Sequence, residues 1–156
     1  MFKPFWILWS LCFSLSVPAC STTPPTTDVP STPDTPTAYV LQIQVDDATF
    51  SATLLDTPAT EALLDLLPLT LDMQELNGNE KYATLPQALP TDAVQPGQIH
   101  TGDLMLYGSD CLVLFYEDFP TSYSYTPLGK IDDPQGLAQA LGTGNVEVHL
   151  EIAETA

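Results

Sequence analysis

The sequence predicts a β-rich α+β domain, a closed barrel or a sandwich of seven or eight short strands with two short helices. Apolar and polar residues alternate with a period of two in short segments between residues 40 and 152. Turn-forming pairs such as Asp46-Asp47 separate these segments. Helical spacing is confined to two short stretches, so strands dominate the predicted fold.

The domain begins with a predicted β-hairpin and a helix. Alternating apolar residues over 40–54 are interrupted only by Asp46-Asp47, which is typical of two strands joined by a turn. Thr57 is followed by Pro58, the order expected for an N-cap and the first residue of a helix. The leucine-rich stripe after it predicts a helix that ends by Pro68.

The rest of the domain is predicted to be mostly strand. A second short helix is predicted from Asp132-Asp133-Pro134 through Leu141, followed by a turn. Period-two alternation predicts further strands over residues 69–73, 81–85, 104–107, 111–116, 123–131 and 146–152.

The charge of the chain limits its partners. It has three lysines, no arginines and 20 acidic residues, for a formal net charge of −17. Binding a nucleic-acid backbone requires clustered cations, so no nucleic-acid partner is predicted. The same charge would be repelled by an anionic membrane surface, and any membrane attachment is expected to use a covalent or inserted anchor.

The N-terminus supplies a candidate anchor. Residues 1–19 have a positive start at Lys3 and an apolar run over 5–17, which is short for a membrane-spanning helix but suits an export signal. A buried or transmembrane helix is the alternative interpretation. Export is the prediction, because a breaker-rich segment follows directly.

The residues around Cys20 refine this prediction. Val17 and Ala19 lie three and one positions before the cysteine, and the stretch resembles a bacterial lipoprotein signal, although Pro18 is an unusual residue between them. The resemblance implies cleavage between Ala19 and Cys20 and acylation of the Cys20 thiol, which would anchor the protein in a membrane of the cell envelope. Ordinary secretion, which leaves Cys20 as a free N-terminal thiol, is the alternative.

A spacer separates this site from the domain. Residues 20–38 consist mainly of threonine and proline and contain one large apolar residue, Val29. Such a segment cannot bury enough surface to offset the entropy of ordering, so a disordered tether is predicted, with O-glycosylation as a further interpretation. The folded domain is predicted over residues 39–156. Ser21 is compatible with outer-membrane sorting in a host with two membranes.

Two long segments carry a family resemblance. LDMQELNGNEKYATLPQALPT (71–91) and GDLMLYGSDCLVLFYEDFPTSYSYTPLGKI (102–131) resemble bacterial cyclophilin-like proteins of the small, uncharacterised type. The resemblance extends from about Val40 to Glu151. It implies a closed barrel of about eight strands with two helices, and no established activity.

Prolyl isomerase activity is the first alternative function. The resemblance implies that an isomerase would use an arginine beside a proline pocket, and this chain contains none. Lys81 and Lys130 lack the planar fork of a guanidinium group. Relatives tend to carry arginine where this sequence has Pro127. A weak isomerase is therefore kept only as an alternative to a binding module.

A hydrolase that depends on His100 is a second enzymatic alternative. Asp103 lies three residues later and could orient the imidazole as a general base, but His-Thr-Gly-Asp is also a common turn sequence. No nucleophile motif accompanies the pair. Cys111 is predicted to be a buried, inert thiol, and His149 is predicted on the outward face of the last strand.

An aromatic groove is the predicted ligand site. Tyrosines offer apolar area and a hydroxyl, although their alternation with serines is equally typical of a half-buried strand. No catalytic residue, metal site or cofactor is predicted; Asn77, Asn79 and Glu80 resemble calcium ligands without the full loop pattern. The candidate groove residues are Tyr82, Tyr107, Tyr116, Ser122, Tyr123 and Tyr125.

The predicted function is a membrane-anchored, exported lipoprotein that presents a binding or accessory domain. Its expected partners are the membrane, through the lipid, and a small molecule or peptide. An enzyme is the first alternative, and a structural protein of the cell envelope is the second.

Overall fold

The computed structural model describes residues 39–153. The predicted signal peptide 1–19, the tether 20–38 with Cys20, and residues 154–156 lie outside the described residues. Within 39–153, neither helix has the length and apolar character needed to cross a membrane.

The described residues form ten strands and two helices. Eight strands close an antiparallel barrel in the order β1-β10-β3-β4-β7-β6-β9-β2, and β5 pairs with β8 in a separate two-stranded sheet. The predicted β-rich barrel of about eight strands with two helices is confirmed. The elements are β1 (Val40–Val45), β2 (Ala48–Leu54), α1 (Pro58–Leu64), β3 (Leu69–Leu76), β4 (Glu80–Thr84), β5 (Gln98–Ile99), β6 (Asp103–Tyr107), β7 (Cys111–Phe115), β8 (Phe119–Pro120), β9 (Thr126–Ile131), α2 (Leu137–Leu141) and β10 (Val146–Ile152).

The barrel interior holds the main hydrophobic core. Because strand side chains alternate between faces, Leu112 and Leu114 of β7 point into this core, whereas Val113 and Phe115 point outward. Burying each large aliphatic side chain contributes about 1.5–3 kcal/mol. The buried leucines of both helices, such as Leu63, join the same core.

A second core covers the outer wall of the barrel. Val113 and Phe115 of β7 and Met105 of β6 pack there against Ile99 and Tyr125, which come from segments outside the barrel. Strands β6 and β7 are therefore apolar on both faces. Their burial patterns contain four consecutive buried residues each, as expected for strands covered on both sides.

Closure of the barrel between β9 and β2 depends on Gly129. A Cβ atom at this position would lie 2.5 Å from the carbonyl oxygen of Thr53 and 2.9 Å from a methyl carbon of Leu54. The pairing of β6 with β9 is irregular beside it, between Leu104 and Met105. Glycine lets the two backbones approach where the sheet changes register.

The two predicted helices differ in how they begin. Thr57 caps α1, its hydroxyl accepting a hydrogen bond from the Thr60 N–H at 3.2 Å, as the sequence predicts. The predicted start of α2 at Asp132 is wrong by five residues. Asp133 instead accepts a hydrogen bond from the Gln135 N–H, and Gly136 is left-handed (φ 84°), so the chain turns before the helix starts.

The predicted strand over residues 123–131 is also too long. Strand β9 contains only 126–131, and Tyr125 pairs with Val94 in an isolated bridge. Thr121 donates its N–H to the Gly97 carbonyl at 3.0 Å. The segment before β9 therefore pairs with residues 94–99 over the outer wall instead of extending the barrel.

Candidate functional site

An open cavity of about 780 Å³ lies on the outer wall of the barrel, and we call it the outer-wall cleft. Its base is formed by outward-facing side chains of β4 and β7, among them Glu80, Tyr82 and Val113. One side is formed by 119–123, and the turn between β3 and β4 contributes Asn77. The volume lies in the range of small-molecule sites.

Aromatic rings line the cleft in direct contact with one another. The Tyr107 ring centroid lies 5.7 Å from that of Tyr125 and 6.2 Å from that of Tyr123, the latter edge-to-face. Phe115 meets Tyr125 edge-to-face at 5.4 Å. Tyr125 is 5% exposed, whereas Tyr107 is 48% and Tyr123 62% exposed. Tyr125 is thus fixed by packing, and the Tyr107 and Tyr123 rings beside it are accessible to a ligand.

The segment that carries Ser122 and Tyr123 is held by polar contacts. Tyr125 and Val94 exchange two backbone hydrogen bonds of 2.9 Å. The Gln95 side chain donates to the Ser122 carbonyl at 3.0 Å, and the Tyr123 N–H donates to the Thr121 hydroxyl at 3.1 Å. These bonds fix the side of the cleft although the segment lies outside the barrel strands.

The structure brings together most of the predicted groove residues. Tyr82, Tyr107, Ser122, Tyr123 and Tyr125 all line the outer-wall cleft, and ligand binding by them stays a prediction.

Tyr116 does not line the cleft, and its predicted place there is wrong. It continues the alternation of β7 on the same side as Leu112 and Leu114, so its ring joins the interior core. Its hydroxyl donates to the carboxylate of Glu75 at 2.8 Å.

Glu80 is the ionisable group at the base of the cleft. Within residues 39–153 its side chain takes part in no hydrogen bond and no ion pair, and it is partly buried. Burial raises the pKa of the Glu80 carboxyl, and the nearby negative charge of Glu75 raises it further. The cleft therefore contains a partly buried carboxylate to which no residue within 39–153 donates a hydrogen bond.

Cys111 also lines the cleft and is half-buried, less buried than predicted. Burial raises the pKa of its thiol, and the carboxylates of Asp110 and Glu80 add to this. The thiol form is therefore favoured, and thiols are far weaker nucleophiles than thiolates. The inertness of this thiol stays a prediction.

A polar network lies on the opposite face of β4, inside the barrel. Lys81 is 0% exposed and forms an ion pair with Glu75, its partner across β3 and β4. Its ammonium group also donates to the carbonyls of Gly142 at 2.9 Å and Gly144 at 2.6 Å. It lies 5.4 Å from the centroid of the Tyr116 ring. All three donors of the ammonium group are thus in use.

The ionisation of Glu75 reflects this network. Burial alone would raise the pKa of Glu75, but hydrogen bonds from Lys81, Tyr116 and the Gly78 N–H outweigh it and lower the pKa. For Tyr116, burial and the hydrogen bond to Glu75 raise the pKa strongly. The charged form of Glu75 is therefore favoured, and its pairing with Lys81 is as expected of a structural network.

The alternative in which Asp103 orients the His100 ring as a general base does not fit the structure, which has the turn that the sequence also suggested. Asp103 accepts the backbone N–H of His100 at 2.8 Å and pairs with Lys130 at 3.0 Å. The ring instead lies 3.6 Å from Asp118, and both side chains are more than half exposed. Hydrogen bonds from the N–H and hydroxyl of Thr101 lower the pKa of Asp118. This geometry favours a turn over a general base.

The described residues offer no ready metal site. Across 39–153, no three His, Cys, Asp or Glu side chains come together in an arrangement that could hold a metal ion. Asn77 and Gly78 both have positive φ, 55° and 73°, and form the turn between β3 and β4. His149 lies on the outer face of β10, partly exposed, where its ring nitrogen meets the Thr70 hydroxyl at 3.0 Å.

Glu80 and Phe119 line the cleft, although neither is among the predicted groove residues. Glu80 could have been predicted, because it lies two residues before Tyr82 on β4 and side chains two apart on a strand share one face. Phe119 belongs to a two-residue strand, which is too short to produce an alternating pattern.

These features define a class of protein, a small closed antiparallel barrel with a ligand-sized aromatic cleft on its outer wall. The model of the Cyclophilin-like family matches residues 43–151, and the chain belongs to that family. A search of curated proteins gives no match.

Two solved structures share the fold. The solution structure of the hypothetical protein AF2241 from Archaeoglobus fulgidus aligns with a TM-score of 0.52 at 18% identity, covering 74% of this chain and 95% of that one. A structure of McbB in complex with tryptophan aligns with a TM-score of 0.52 at 16% identity, covering 74% of this chain and 45% of that one.

Proposed function

We propose that this protein is an exported lipoprotein that uses its cyclophilin-like domain to bind a small molecule or a peptide in the outer-wall cleft. The observation that carries the binding role is the cleft itself. It is large enough for a small ligand and open to solvent, and it is walled by tyrosines in mutual contact.

We infer that the domain acts by binding rather than by catalysis. The chain contains no arginine for an isomerase, Lys81 is enclosed by its own partners, and the pKa of Cys111 is raised by burial and by nearby carboxylates. When the protein is added to a standard proline peptide, the rate of cis–trans isomerisation is expected to equal the rate in buffer alone. A measurable increase would favour the isomerase alternative.

The anchoring part of the proposal rests on the sequence around Cys20. The apolar run over 5–17 and the small residues before the cysteine support export and acylation, and the tether 20–38 would hold the domain away from the membrane. Replacing Cys20 by alanine is expected to move the protein from the membrane fraction to the soluble fraction. Unchanged membrane retention would defeat the anchoring role.

Ligand binding is tested by native mass spectrometry of the untagged full chain released gently from detergent. The protein is examined as purified and after mixing with tryptophan and short proline-containing peptides. A bound mass is expected with the natural sequence and with Tyr39→Ala, which removes an exposed tyrosine that does not line the cleft.

The same mass is expected to be lost with Tyr123→Ala, because Tyr123 is exposed at the cleft and supports little of the fold. Retention by Tyr123→Ala would place binding elsewhere. Absence of any bound mass, together with capture of an envelope protein in a pull-down, would favour the structural alternative.

A further inference from the structure

Two glutamates near β4 differ in their hydrogen-bond partners: Glu75 on β3, which pairs with Lys81 inside the barrel, and Glu80 on β4, which faces the cleft. Glu75 receives hydrogen bonds from Lys81, Tyr116 and Gly78. Glu80 is partly buried in the outer-wall cleft, and across residues 39–153 no group donates to it. The Glu80 carboxylate keeps some contact with solvent, so it is free to accept a hydrogen bond from a ligand in the cleft.

The surroundings of Glu80 indicate what kind of group would donate this hydrogen bond. Tyr82, Tyr107, Tyr123 and Tyr125 line the same cleft, and the negative faces of aromatic rings attract cations. Among residues 39–153, no lysine, arginine or histidine lines it. The net charge of −17 would raise the local concentration of cations further.

The cleft suits an organic cation better than a metal ion or an anion. Calcium takes six to eight oxygen ligands. Among the described residues, the lining offers one carboxylate, that of Glu80, and the side-chain amides of Asn77 and Asn79, and five aromatic rings form much of the remainder. An anion would meet this carboxylate without a compensating cation, because the ammonium group of Lys81 is used inside the barrel.

We propose that the outer-wall cleft recognises its ligand through an organic ammonium group, with Glu80 as the counter-ion and the tyrosines as its walls. This inference rests on the proposed ligand-binding role of the cleft and narrows it to one ligand chemistry. The ammonium group is either that of a free amine or that of a lysine side chain in a peptide.

The test compares a cation with a neutral molecule of nearly the same shape. Phenethylammonium and 2-phenylethanol are titrated by calorimetry into the full chain in detergent. The natural sequence is expected to bind the cation at least tenfold more tightly, because a charge-assisted hydrogen bond contributes about 1.5–3 kcal/mol. Equal affinities, or a preference for the alcohol, would overturn the inference.

Two variants test whether Glu80 causes the preference for phenethylammonium over 2-phenylethanol. Glu80→Gln is expected to weaken phenethylammonium binding roughly tenfold or more and to change 2-phenylethanol binding less than about threefold. Glu147→Gln removes the same charge from an exposed position on β10 and is expected to preserve the preference. If both variants behave alike, overall charge rather than Glu80 determines binding and the inference fails.

Two further arms identify the cation. N-acetyl-lysine methylamide, compared with its side-chain-acetylated form, distinguishes a peptide lysine from a free amine. Calcium chloride at matched ionic strength is expected not to displace phenethylammonium, and specific displacement would indicate an inorganic cation site instead.

The outcomes also separate this inference from the proposed function. Alcohol binding that is lost in Tyr123→Ala but shows no charge preference would retain the cleft as a ligand site and reject the ammonium. Failure of every probe and of the native mass spectrometry would count against both.

Discussion

The interior network around Lys81 and the outer-wall cleft around Glu80 lie on opposite faces of β4, one residue apart in sequence. Inside the barrel, the ammonium group of Lys81 is surrounded by one carboxylate and two backbone carbonyls. Outside, Glu80 faces tyrosines and receives no hydrogen bond from residues 39–153. One face of the strand has polar groups that satisfy one another, and the other has an acceptor open to an additional partner.

Structural and functional charges in this fold are expected to differ in whether the protein itself supplies their hydrogen-bond partners. Lys81 is the more deeply buried group and looks the more unusual in sequence, yet its partners explain it fully. Glu80 is less buried, but burial raises the pKa of its carboxyl and no described residue donates a hydrogen bond to it. The lack of a described hydrogen-bond donor, rather than depth of burial, is what distinguishes Glu80 in the proposed ligand site.

The largest expected effect concerns the interior network. Lys81→Met should lower the free energy of unfolding by about 3–5 kcal/mol, because it leaves Glu75 and two carbonyls without their donor. Urea unfolding followed by circular dichroism measures the loss. Lys130→Met, which removes an ion pair whose lysine is 51% exposed, is the matched control and should cost less than about 1 kcal/mol. Equal losses of unfolding free energy would mean that the interior network stabilises the fold no more than the exposed ion pair does.

The tyrosines of the cleft should divide into one that supports the fold and one that does not. Tyr125→Ala is expected to cost about 2–4 kcal/mol, because its ring is buried against Phe115. Tyr123→Ala should change stability by less than about 0.5 kcal/mol, because that side chain is largely exposed. Thermal unfolding of both variants checks the division. A large loss in Tyr123→Ala would remove it as a clean probe of binding.

The two glutamates should give stability profiles of opposite sign with pH. The pKa of Glu75 is lowered in the folded protein, so its contribution is present above its ordinary value of 4.5 and is lost as pH falls through the lowered pKa. The pKa of Glu80 is raised, so its contribution is present below 4.5 and is lost as pH rises through the raised pKa.

These signs are measured with Glu75→Gln and Glu80→Gln by urea unfolding between pH 3 and pH 7. Glu75→Gln should be less stable than the natural sequence at pH 7, and the difference should shrink in acid. Glu80→Gln should be more stable at pH 7 by less than about 1 kcal/mol, and its advantage should disappear below pH 4.5. If both variants are less stable, or both more stable, than the natural sequence at pH 7, the two glutamates do not differ in the way described.

The barrel strands were predictable because their physics is local. Alternation over 40–54, the Thr57 cap and the Asn77-Gly78 turn each produce a signal within a few residues. The sheet of β5 and β8 has two residues per strand and forms only because distant segments meet over the outer wall, so it leaves no pattern. The left-handed backbone of Gly136 prevents the second helix from starting at Asp132, and the sequence pattern around it does not reveal this conformation.

The cleft was predictable only in part. The tyrosines and their alternation with serine indicated five residues that line it, four tyrosines and Ser122, but not which face of β7 is interior. Residues 112–116 are all apolar or aromatic, so both faces are covered and alternation alone does not separate them. Once the packing of Leu112 and Leu114 is seen, parity places Tyr116 inside. The pairing of Lys81 with Glu75 likewise requires the register of β3 and β4.

The most direct test of the account is to measure stability and ligand affinity together on one variant, Glu80→Gln. If Glu80 serves a ligand at the expense of the fold, the variant should unfold at higher urea concentration at pH 7 and bind phenethylammonium roughly tenfold or more weakly. A variant that is less stable and binds with unchanged affinity would contradict the central claim that Glu80 is kept without protein partners for a ligand.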